Sequence, residues 1–178
     1  MKLPINLRII ITVILTLLVW AHIAWDYFHG GIPTHYLFQN DALPGIPNWL
    51  GGLVLPFFTW FILHRIHKRI DSVEIPVASE SLRSVIVRFL LAMGIAITIS
   101  VFFVNEIDLI DSIMLAILIL AFIFPLYKSE YLLGWVMGSS FTFGATIPIG
   151  FGSILALLFF VLYKTPRLIK RLVSKNNG

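Results

Sequence analysis

A chain of 178 residues with 58% hydrophobic and only 12% charged side chains is no soluble domain, where about a quarter of residues carry charge. A mean hydropathy of +0.93 points instead to a chain that lives in lipid. The absence of cysteine excludes disulfides, thiolate metal sites and cysteine nucleophiles, and the net charge of +4 reflects membrane topology rather than nucleic acid.

Lipid offers the backbone no hydrogen-bond partners, so spanning segments must be helices or closed barrels. No alternating ten-residue barrel pattern occurs. The expected fold class is therefore all-α: one polytopic integral membrane domain over residues 1–178, with about six transmembrane helices. The first span covers about residues 7–28. Lys2 and Arg8 ahead of an apolar run also suit a signal peptide, but the run continues to Trp25 without a small-x-small cleavage site. It reads as a retained anchor. A proline-stiffened loop from His29 to Pro47 leads to the second span, 48–63, with Asn48 as N-cap and Trp49 in the aromatic belt. Pro56 is a predicted kink.

After a loop of mixed charge, the third span occupies 84–104, with Arg88 about one turn inside. A short acidic turn through Glu106, Asp108 and Asp111 opens the fourth span, 109–127. Residues 131–163 carry no charge for 33 positions, about 50 Å as one helix and too long for a single crossing. The Gly144–Gly152 stretch is the natural break, giving spans at 131–146 and 150–164, with a re-entrant hairpin as the alternative.

Charge then sets orientation. With the N-terminus in the cytoplasm and six alternating spans, all thirteen Lys and Arg fall on the inner side. The outer side receives Asp26, Asp41, Glu106, Asp108 and Asp111, five of the nine acids. Lys and Arg in short loops dictate orientation, so both termini are expected in the cytoplasm, and the protein in the plasma (inner) membrane. The basic tail from Lys164 reads as a topology signal touching anionic lipid, not as a nucleic-acid site.

Chemistry-bearing residues gather between Trp20 and Trp49, which hold three of the five histidines. On a helix, His22, Asp26 and His29 stand at about 0°, 40° and −20°, one narrow stripe. His35 and Asp41 follow in the loop. Acids without basic partners need protons, water or a cation. A divalent metal meets that need: His22, Asp26 and His29 as ligands, zinc as first choice, His35 as ligand or general base, and Asp41 as a carboxylate orienting them. The competing reading is an interfacial His–Asp pair and solvated loop residues. His-x3-Asp-x2-His is far less specific than the His-Glu-x-x-His of zinc proteases, which this chain lacks. Gly30-Gly31 reads as a helix end and turn.

Other features read as structural. Gly134-x3-Gly138 in the fifth span predicts close packing on a helix partner. Gly138-Ser139-Ser140 lacks the Gly-x-Ser-Gly of an intramembrane serine protease. His64 and His67, beside Arg65, Lys68 and Arg69, read as an inner-interface anchor, and Arg88 as a partner for Glu130 or a lipid phosphate.

The functional expectation is a divalent-metal-dependent membrane hydrolase or transferase, acting on a lipid-like or peptide substrate from an outer-face site. Two alternatives stand beside it. One is a proton- or cation-coupled transporter with its path along the broken Gly144–Gly152 segment; the other is a non-catalytic subunit packing through Gly134 and Gly138.

Overall fold

The computed structural model describes residues 3–36, 42, 44–71 and 82–176. Within them the chain forms α1 (Ile5–Phe28), β1 (Thr34–Tyr36), β2 (Gly45–Pro47), α2 (Trp49–Asp71), α3 (Leu82–Val104), α4 (Ile110–Ile123), α5 (Ser129–Phe143) and α6 (Thr146–Asn176). Four segments, Ile5–Phe28, Trp49–Asp71, Leu82–Val104 and Thr146–Lys170, are long and apolar enough to cross a membrane. This is a helical membrane protein. α4 and α5, at 14 and 15 residues, are only about 21–22 Å long and fall short of the roughly 30 Å hydrocarbon core.

α5 is the axis of the bundle: nine of its 15 residues are buried, against two in α1 and one in α4. Its glycines let α3 approach. A methyl group on Gly134 would meet the carbonyl oxygen of Phe89 inside van der Waals contact, and one on Gly138 would lie 2.5 Å from that of Met93. The small-residue stripe is thus covered by α3 of the same chain. Leu55, Phe58, Ile62 and Ile66 of α2 pack on Leu133, Val136 and Met137 to form the apolar core. α1 rests on α2, where Gly52 faces Trp20 and Ile23. The outward faces of α1, α4 and α6 remain apolar, as lipid requires: Leu17 is 63% exposed, Leu115 59% and Leu157 69%.

Helix directions alternate, and contacts fix the register. α2 runs antiparallel to α5, with Gly51 against Ala145 at one end and Arg69 against Glu130 at the other. α3 runs parallel to α5, joining Arg88 to Glu130 and, at the far end, Phe103 to Phe143 at 4.8 Å. α4 and α6 are also parallel. Arg167 donates to the carbonyls of Phe122 and Ile123, occupying acceptors that the C-terminus of α4 leaves open.

The break between the last two helices falls at Gly144, where φ is +67°. Pro148, Gly150 and Gly152 lie inside α6, whose first turns tolerate proline because their N–H groups lack helical partners. α2 continues through Pro56 and past His64 to Asp71. Part of the expected 29–47 loop is an antiparallel ribbon pairing Thr34 with Pro47, His35 with Ile46 and Tyr36 with Gly45. Gly45 is needed there, since a side chain would strike Thr34 Cγ2 at 2.5 Å and the Tyr36 ring at 3.0 Å.

Candidate functional site

The polar centre lies where α1 ends, the ribbon folds back, α2 begins and α5 turns into α6. Asp26 is in the last turn of α1 and 15% exposed; its Oδ2 accepts a hydrogen bond from Asn48 Nδ2 at 3.1 Å. His22, one turn earlier, places Nε2 at 3.8 Å from the same oxygen, and its ring meets Phe141 edge-on at 5.3 Å. Asn48 is buried, and its backbone N–H donates to the Pro33 carbonyl at 2.9 Å, closing the base of the ribbon.

His35 comes into this group from the ribbon. A methyl on Gly144 would sit 2.5 Å from Asn48 Oδ1 and 3.3 Å from His35 Cδ2, so the glycine lets the α5–α6 turn close against both side chains. Burial holds the His35 imidazole below its ordinary value, with the Asp26 carboxylate pulling the other way. Its Nε2 is buried and makes no hydrogen bond. A crevice of about 10 Å³, lined in part by His22, Asn48 and Ser140, adjoins the centre. That is close to the least volume that holds one water.

The sequence stripe divides here. His22 and Asp26 face the bundle, joined by His35. His29 turns away: it stacks on Trp25 at 3.7 Å, and its Nδ1 hydrogen-bonds the Trp25 carbonyl at 2.9 Å on the exposed side of α1. Asp41 lies outside the described residues. Glu106, Asp108 and Asp111 are exposed around the α3–α4 turn. Among the described residues, no group of three or more His, Asp or Glu side chains is placed to hold a metal ion. Ser139 and Ser140 donate to the carbonyls of Trp135 and Val136 one turn back, so both hydroxyls are engaged by their own helix.

A second polar centre occupies the opposite end. Glu130, fully buried, accepts from Arg69 at 2.6 Å and from Arg88 at 3.1 Å. Its sequence signal is the lone acid opening an apolar span at the basic end; the part of Arg69 is hidden, because α2 had to extend two turns further to deliver it. Asn48 is the comparable omission at the Asp26 centre. It reads as an N-cap, yet its amide serves Asp26, a pairing 22 residues apart.

No protein-family model, curated protein or solved structure matches the chain.

Proposed function

We propose that this is a six-span plasma-membrane protein with both termini in the cytoplasm, carrying an acid–base site at its outer face for hydrolysis or group transfer on a lipid-like or peptide substrate. The observation that carries the reading is His35: a neutral-leaning imidazole with a buried, unbonded Nε2 beside the Asp26–Asn48 pair. Such a nitrogen suits a general base for a water or substrate hydroxyl admitted beside it. Asp26 would stabilise the imidazolium that forms, and Asn48 would hold Asp26 in place. His22 supplies the second proton-transfer group. The carrier reading has less support, because the Arg69–Glu130–Arg88 ion pairs occupy the opposite end.

A divalent metal is the second reading, and one distance favours it. His22 Nε2 and Asp26 Oδ2, 3.8 Å apart, are near the spacing of two ligands held by one ion at about 2.0–2.2 Å each.

The orientation rests on the gathering of basic side chains at the Arg69 end and of acids at the Asp26 end. The test is a panel of fluorogenic esters, phosphoesters and peptides offered to detergent-purified protein, with elemental mass spectrometry on the same samples. His22→Ala, Asp26→Asn and His35→Gln should each lower turnover by about 10²–10⁴-fold. Turnover unchanged in all three folded variants refutes the assignment. One metal per chain, lost in His22→Ala and Asp26→Asn, selects the second reading.

A further inference from the structure

α3, α4, α5 and α6 line a half-open cavity of about 320 Å³, within the roughly 300–1,000 Å³ of ligand pockets. It lies on the side of α5 away from His22, and the outer centre makes no use of it. Along α4 it runs from Phe124 to Met114, ten residues or about 15 Å, which is half of a roughly 30 Å hydrocarbon core. One leaflet's depth of apolar wall therefore begins at the basic end of the bundle and stops near the middle.

Two polar groups interrupt that wall. Tyr131 lines the basic end, and its hydroxyl accepts a hydrogen bond from Arg88. Trp135, one turn deeper, places a buried indole N–H with no hydrogen-bond partner at the same cavity. Lys128, half-buried, stands one turn before Leu132 on the cavity wall. Burial and the Arg69 guanidinium hold its ammonium below the ordinary value, against the pull of Glu130. A phosphate at this mouth would meet three cations, Lys128, Arg69 and Arg88, gathered around the carboxylate of Glu130.

We infer that the cavity binds one acyl chain of a glycerophospholipid with an anionic headgroup, drawn from the cytoplasmic leaflet. The phosphate lies by Lys128, Arg88 and Tyr131. The ester carbonyl, a few ångströms deeper, accepts from Trp135 Nε1, and the chain fills the space beyond. Depth, charge and the unsatisfied donor all fit this one occupant. The leaflet assignment rests on the orientation proposed above; the site itself does not.

The test is native mass spectrometry of the full chain in detergent, with equimolar phosphatidylglycerol and phosphatidylcholine of identical acyl chains. Detergent has no leaflets, so the result is independent of orientation. The expected result is one retained lipid per chain, phosphatidylglycerol favoured roughly fivefold or more. Ala156→Phe and Ile117→Trp, which fill the cavity from α6 and α4, should abolish retention while far-UV dichroism stays that of a folded helical bundle. Trp135→Phe should weaken it for both lipids. Equal retention of the two lipids, or undiminished retention in a folded cavity-filling variant, overturns the site. Labelling of the Ser174→Cys variant from outside intact cells would overturn only the leaflet.

Discussion

Asn48 donates its side-chain amide to the carboxylate of Asp26 at 3.1 Å, tying the residue before α2 to the last turn of α1. With Asn48 buried and Asp26 mostly so, removing the donor leaves an acceptor facing protein rather than water. Asn48→Ala should cost about 1–3 kcal/mol, the penalty for leaving a buried acceptor unsatisfied. Asn48→Asp should cost more, because it sets a second carboxylate against the first. Thermal unfolding in detergent, followed by near-ultraviolet dichroism, checks both.

Three glycines in the α3–α5 pair separate close packing from mere helix content. Gly134 and Gly138 are pressed on α3 backbone, whereas Gly94 has open space where a Cβ would be. Gly138→Ala must push two backbones apart and should destabilise by about 1–3 kcal/mol, with Gly134→Ala at least as severe. Gly94→Ala should be neutral or stabilise by up to about 1 kcal/mol, through helix propensity alone. If all three behave alike in unfolding experiments, the parallel α3–α5 contact is misplaced.

Much of this was legible in advance, and the division has a physical basis. Apolar runs announce long membrane helices because lipid leaves the backbone no other solution, and four of the expected spans are helices long enough to cross. Gly134 and Gly138 announced close packing because only small residues permit it. Side-chain pairing was less legible. His29 shares the helical stripe of His22 and Asp26, but the free ring of Trp25 one turn before it offers a stacking partner that periodicity does not weigh. Asn48 and Arg69 reach partners 22 and 61 residues away, distances that no local pattern encodes.

Glu130 carries the largest single penalty expected in the molecule. Glu130→Ala leaves Arg69 and Arg88 facing each other at the buried start of α5, and breaking a buried pair costs about 3–5 kcal/mol. Arg88→Met, which leaves Arg69 on the carboxylate, should cost less. A double-mutant cycle read by unfolding in detergent should give a large coupling energy between Arg88 and Glu130; additivity would mean that their 3.1 Å contact contributes nothing.

The pH response should come from His35. Its pKa is held below the ordinary 6.5 in the folded chain, so the unfolded chain takes the proton first on acidification. The stability tied to this group is fully present above pH 6.5 and is lost as pH falls from there through the lower folded value. Melting temperature should therefore drop between pH 7.5 and 5, and His35→Gln should flatten part of that drop. A variant profile superimposable on the parent's would remove His35 from the pH response.

The shortness of α5 has a consequence beyond packing. Fourteen residues separate Glu130 from Gly144, about 21 Å of helix, while the surrounding bilayer offers roughly 30 Å of hydrocarbon. In the six-span arrangement proposed above, α4 is equally short and faces lipid, so the membrane must pinch inward on that flank. The two aqueous phases come closest along this line, so a transmembrane voltage falls over a shorter gap here, and the field is steepest between the buried ion pairs at one end and the histidines at the other.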